Sequence, residues 1–273
     1  MEERAYIPHY QVRNHSVILY GIPDPPYDHK RTTTAKKYTG NMTASTAKRI
    51  RRTVDIMLQR SPLQTVWNPI TQRVNTFRLT FVTLTISARR LIDPRDCYRF
   101  GLAKFLDWMR KTGSNTYIWK AELQARGQVH YHITTNTFIR YDYIKNRWNA
   151  IQRAAGWLNE YHAEKGHWSP NSTDIHAVSK VNRIDLYLAK YLAKSPGQGF
   201  GKGKVWGCSQ DLQGARYFSD ELSTTTEANL NAICQKGSTK VIKTDHCTII
   251  DTPRPFAALS PTELAAYKVW RGW

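Results

Sequence analysis

The stretch that most constrains this 273-residue chain runs from Asn115 to Thr135. Two strand patterns, Asn115 to Leu123 and Val129 to Thr135, flank the tripeptide Ala125-Arg126-Gly127. A three-residue turn, with Gly127 at the positive φ that a bulged hairpin demands, sets Gln124 opposite Gln128 and Glu122 opposite His130. His130 and His132 are two residues apart, so both leave the same face of their strand. One carboxylate and two imidazoles then converge, a donor set that suits a divalent ion with open positions. Gln124 is available as a substitute or fourth donor. A slip to a two-residue turn would send Glu122 to the other face and break the set. A His-x-His pair alone serves an ordinary polar strand face as well as it serves a metal; Glu122 at workable spacing shifts the balance to the metal. Asp174 and His176 form another i, i+2 pair, but without a third partner they read as mutually satisfied polar groups on a sheet face.

The rest of the chain supplies the frame. Phe77 to Ser87 (FRLTFVTLTIS) reads as a buried strand, and Asp174 to Val178 as a short one. Helices are predicted from Thr43 or Ser45 to Gln59, from Asp93 to Lys111, from Tyr141 to about Glu164, and from Val181 to Lys194. Weaker signals suggest a helix at 226–235, a strand at 239–250 and a short helix after Ser260-Pro261. Residues 1–40, with Pro8, Pro23, Pro25 and Pro26, read as an extended, irregular arm. The order implies an α+β fold, a central antiparallel sheet flanked by helices. Three segments are expected: a basic arm and helix over 1–62, a central domain over 63–205, and a C-terminal extension over 206–273.

Charge points to the partner. Lys and Arg number 40 against 21 Asp and Glu, giving +19 and a pI near 9.9. Nucleic acid is the commonest partner for such a surface, whether the protein acts on it or only packages it. No apolar run reaches the roughly 18 residues needed to span a bilayer, and no signal-peptide pattern is seen. Cys97, Cys208, Cys234 and Cys247 are scattered without a CxxC pair, which fits a reducing compartment such as a cytoplasm.

The helix predicted at 181–194 carries a second constellation. At about 100° per residue, Tyr187, Tyr191 and Lys194 share an arc flanked by Lys190 and Arg183. Val181, Ile184, Leu188 and Leu192 lie on the adjoining face, suited to packing on the sheet. A tyrosine hydroxyl can attack a phosphodiester where a metal polarises the phosphate and a cation offsets the developing charge. Tyrosines also serve as amphipathic core-edge residues, but the tandem Tyr-Leu-Ala-Lys repeat favours the chemical role.

His130-Tyr131-His132 resembles the HUH motif, in which a hydrophobic residue separates two metal-binding histidines. Glu122 stands where that family carries its third ligand, Phe81 to Thr85 resembles its first, structural motif, and Tyr187 to Lys194 resembles its paired-tyrosine YxxxY helix. The three motifs occur in the family's order between about 78 and 195. The resemblance is to HUH endonucleases that initiate rolling-circle replication, and within them to the two-tyrosine Rep or A-type proteins of single-stranded DNA phages and plasmids. It implies a ferredoxin- or RRM-like nicking domain and a Mg²⁺ or Mn²⁺ held by Glu122, His130 and His132. It further implies attack by Tyr187 or Tyr191 on single-stranded or hairpin origin DNA, a 5′-phosphotyrosyl link, and strand rejoining, with Lys190 or Lys194 offsetting charge. Relaxases usually place the tyrosine before the histidines, so the order here favours Rep over a relaxase or an HUH transposase. No GxxxxGK[ST] is present, so strand separation is expected from a host helicase, alongside a host polymerase, in a bacterial cytoplasm. Arg183, Lys202 and Lys204, the last two in a glycine-rich loop, are candidate DNA contacts. The reading from a different class is a non-catalytic basic DNA-binding or packaging protein.

Overall fold

The computed structural model describes residues 5–24, 42–68, 71–177 and 203–272. It is α+β, built on antiparallel sheets. Two compact units emerge, and their boundaries differ from the three segments expected: strands from 5–24 cluster with residues 215–272, and 42–214 form the other unit.

The first unit corrects the expectation of an irregular N-terminal arm. Strands β1 (Ala5–Val12) and β2 (Ser16–Asp24) form a hairpin. The two prolines within it are accommodated by position. β1 pairs with its second neighbour only over His9–Val12, and the Pro8 carbonyl accepts from Leu222 N at 2.8 Å beyond that ladder's end. The missing N–H of Pro8 therefore breaks no rung.

The second unit holds the candidate site. Helix α1 (Ala44–Arg60) starts where the Thr43 side chain accepts from Thr46 N, and it buries Ile50, Val54 and Met57, spaced i, i+4, i+7. A two-stranded ribbon follows, β3 (Gln64–Asn68) with β4 (Arg73–Phe77). The long strand predicted over 77–87 is divided: β4 ends at Phe77, and β5 (Thr80–Thr85) belongs to a different sheet. The predicted helix at 93–111 is found as α2 (Pro94–Asp96), a π-helical turn over Cys97–Leu102, and α3 (Ala103–Lys111), opened by the Asp93 side chain accepting from Arg95 N. Strands β6 (Tyr117–Leu123) and β7 (Val129–Thr135) fall where expected. The helix predicted from Tyr141 to Glu164 is two, α4 (Tyr141–Ala154) and α5 (Asn159–Lys165), because Gly156 turns the chain at φ 71°. β8 (Thr173–Ala177) and β9 (Trp206–Cys208) complete a five-stranded sheet in the order β8-β5-β7-β6-β9. The helix predicted at 181–194 lies outside the described residues.

The sheet has two unlike faces. Val82 and Leu84 of β5, Tyr131 and Ile133 of β7, and Trp119 and Ala121 of β6 share a core with Phe105, Met109, Ile144 and Trp148 from the helices. Trp148 Nε1 donates to the Thr85 carbonyl at 2.8 Å, tying α4 to β5. By the two-residue period of a strand, Thr83, Thr85, Lys120, Glu122, His130 and His132 all emerge on the opposite face.

The closing strands of the first unit come from the far end of the chain. β10 (Phe218–Glu221) pairs with β1, and β12 (Cys247–Asp251) pairs with β2 and with β11 (Lys240–Lys243). The strand expected at 239–250 is thus a hairpin. Helices Thr224–Cys234 and Pro261–Arg271 are close to expectation, the latter opened by a capping box between Ser260 and Glu263. Tyr10, Val12, Val17, Phe218, Leu230, Ile250 and Tyr267 form this unit's core.

Candidate functional site

The hairpin register decides which side chains meet. Gln124 N donates to the Gln128 carbonyl at 2.9 Å, Gly127 N donates to the Gln124 carbonyl at 2.8 Å, and Gly127 sits at φ 83°. This is the three-residue turn the sequence called for, and it pairs Glu122 with His130 and Lys120 with His132. On the other side of β7, Thr85 pairs with His130 and Thr83 with His132. Two cross-strand rows result: Thr85, His130, Glu122, and Thr83, His132, Lys120.

The side chains bond along and between these rows. The ring centroids of His130 and His132 are 4.6 Å apart. The Thr85 hydroxyl is hydrogen-bonded to His130 Nδ1 at 3.0 Å and that of Thr83 to His132 Nδ1 at 3.3 Å. Phe81 stacks on His132 at 5.2 Å, and Gln124 Nε2 lies 3.4 Å from His130 Nδ1. Glu122 Oε2 is 3.3 Å from His132 Nε2, while Oε1 is 2.5 Å from Lys120 Nζ. The carboxylate is therefore shared between an imidazole and an ammonium. Among the described residues, no three His, Cys, Asp or Glu side chains are drawn into a closed metal-binding group. The Glu122-His130-His132 trio shares one face, with Glu122 turned partly to Lys120.

Two of these groups have displaced titrations. The hydrogen bond with His132, joined by Lys120, outweighs burial and holds the Glu122 carboxyl down at about 2. Burial, with His132 as a cationic neighbour, lowers His130 to about 4 against the opposing pull of Glu122. His130 is thus neutral and Glu122 ionised at neutral pH. Both shifts act on stability with the same sign. Between pH 6.5 and 4 the unfolded chain takes up a proton at His130 that the folded chain refuses, and between 4.5 and 2 the same holds for Glu122. The metal-free protein is expected to lose up to a few kcal/mol as pH falls from 6.5 to 4, read from thermal melts in chelator. An unchanged melting temperature over that window would refute the buried, neutral His130.

The other sequence candidates are distributed as follows. Asp174 and His176 form the expected pair at 2.7 Å, exposed on β8. Lys204 is exposed, its ammonium 5.5 Å from the Tyr98 ring centre. Tyr187, Tyr191, Lys190, Lys194, Arg183 and Lys202 lie outside the described residues. Three residues the sequence reading gave no chemical role, Thr83, Thr85 and Lys120, touch the trio directly. Their signal was parity: Thr83 and Thr85 alternate in step with the histidines, and Lys120 is two residues from Glu122.

No helix among the described residues is long and apolar enough to cross a membrane. No curated protein and no solved structure matches the chain. Residues 79–196 match the sequence model of a replication-associated protein family, that of ORF2, a span that takes in β5, the Glu122-His130-His132 hairpin and the Tyr187–Lys194 segment. Through that span the chain belongs to the ORF2 family of replication-associated proteins.

Proposed function

We propose that the protein is a replication initiator of the HUH type, which nicks single-stranded origin DNA by tyrosine transesterification and rejoins the strands in rolling-circle replication. The observation that carries this reading is the register of β5, β6 and β7, which gathers Glu122, His130 and His132 on one sheet face within the matched family span. Two donors on one ion, with bonds of about 2.1 Å at right angles, stand about 3 Å apart; Glu122 Oε2 and His132 Nε2 are 3.3 Å apart. With Nδ1 of each histidine engaged by a threonine hydroxyl, Nε2 is the nitrogen left for ligation. The residues thus fit a divalent ion, Mg²⁺ or Mn²⁺, whose chemistry when bound is to polarise a phosphate oxygen.

The chain's own residues perform the transfer. The phenolic oxygen of Tyr187 or Tyr191 attacks phosphorus and loses its proton. The P–O3′ bond breaks, and the departing 3′-oxygen takes up a proton. One phosphodiester replaces another, so the 5′-phosphotyrosyl link keeps the bond energy needed for rejoining. Lys190 or Lys194 offsets the charge that builds on the phosphate. A second tyrosine allows the regenerated origin to be cut while the first is still esterified. The basic surface holds DNA through its phosphates, and a host helicase and polymerase are the expected partners.

The test is a denaturing gel of end-labelled single-stranded origin DNA incubated with the protein and Mn²⁺. A labelled adduct that resists denaturant and needs metal supports the proposal. Tight, salt-sensitive binding with neither adduct nor cleavage would make this a non-catalytic DNA-binding protein. Thr85→Val, which leaves His130 Nδ1 without its hydroxyl partner, is expected to weaken Mn²⁺ binding about tenfold with little change in fold, as read by calorimetric titration.

A further inference from the structure

The two oxygens of Glu122 keep different company. Oε2 faces His132 Nε2 at 3.3 Å, and Oε1 is held by Lys120 Nζ at 2.5 Å. Lys120 is an unusual residue to find there. It sits on β6 directly across from His132, and its side chain has no solvent exposure, against 26% for Glu122 and 20% for His132. A lysine on a strand face ordinarily extends its head into water. A buried ammonium is tolerated only when paired and hydrogen-bonded, and Glu122 supplies both. The pairing also fixes the carboxylate, because an oxygen bound to an ammonium at 2.5 Å is not available to a second cation without displacing the first.

We propose that Lys120 is a positioning residue that occupies Oε1 of Glu122, leaves the carboxylate to ligate through Oε2 alone, and holds down the site's affinity for divalent ions. This rests on the reading that Glu122, His130 and His132 hold the metal. Two cations on one carboxylate repel each other strongly at the effective dielectric of a protein interior. The fixed positive charge of Lys120 therefore opposes a divalent ion while favouring a phosphate beside it. A loosely held ion and an anion-attracting floor suit a site whose ligand is a DNA backbone.

The experiment is a Mn²⁺ titration of the full chain, following free Mn²⁺ by electron paramagnetic resonance, for wild type, K120M, K120Q and H132A. K120M keeps the length without the charge, and K120Q keeps a hydrogen-bond donor without the charge. Both are expected to bind Mn²⁺ about tenfold or more tightly than wild type, whereas H132A loses binding. Wild-type or weaker affinity in the folded lysine variants overturns the proposal. Difference infrared spectra of the wild type on Mn²⁺ addition test the same point without a variant: widely split carboxylate bands mark single-oxygen ligation, and a narrow splitting overturns it. A wild type that binds Mn²⁺ no better than H132A overturns the metal reading itself.

Discussion

His132→Ala is expected to lower metal-dependent cleavage of single-stranded origin DNA by about 10³-fold or more, because an ion that polarises a phosphate contributes several kcal/mol at the transition state and each 1.36 kcal/mol is tenfold in rate. DNA affinity should change little, since phosphate contacts by lysine and arginine supply most of it and the chain carries 40 such residues. The substitution is mild for the fold: His132 is 20% exposed and lies on the face opposite the core. Its removal also frees one oxygen of Glu122, which returns to Lys120 rather than being left unpaired. Gel-shift and cleavage assays on the same preparation separate the two properties. Full metal-dependent cleavage by His132→Ala would remove His132 from the ligand set.

The second large effect concerns the nucleophile. Tyr187→Phe/Tyr191→Phe is expected to abolish the covalent adduct altogether, because phenylalanine offers no oxygen to phosphorus and no other group in the proposed mechanism can replace it. Each single change should leave partial cleavage if the two phenols alternate. The measure is the amount of denaturant-resistant labelled adduct for the two single variants and the double. Total loss with one single change and none with the other would make this a one-tyrosine enzyme. Adduct formation by the double variant would place the nucleophile elsewhere.

The site was legible where chemistry follows the two-residue period of a strand. Glu122, Gly127, His130 and His132 fixed their own register, since a three-residue turn admits one pairing that keeps the donors together. Lys120 escaped notice because a strand lysine ordinarily reads as solvated, and only tertiary packing makes it a buried partner of Glu122. Thr83 and Thr85 were readable as strand formers but not as hydrogen-bond partners, since that depends on which strand lies beside β7. The break at Gly156 was masked by an apolar period that continues through Trp157 and Leu158, both buried after the turn. The N-terminal hairpin was hidden for a different reason. Pro8 and Pro23 signal irregular chain locally, and the strands that make β1 and β2 part of a sheet lie at residues 218–251.

That last arrangement affects the order of synthesis. The β1–β2 hairpin is complete at Asp24, but its first sheet partner does not begin until Phe218, about 190 residues later. At roughly 5–20 residues per second the ribosome leaves the hairpin waiting on the order of 10–40 s, and an isolated hairpin is marginally stable in water at best. The first strands made are therefore among the last to be secured, after the sheet that carries Glu122, His130 and His132 has all its strands at Cys208. Removing residues from either end would unfold the same unit, so a tag or truncation at one terminus is felt by the strands contributed from the other.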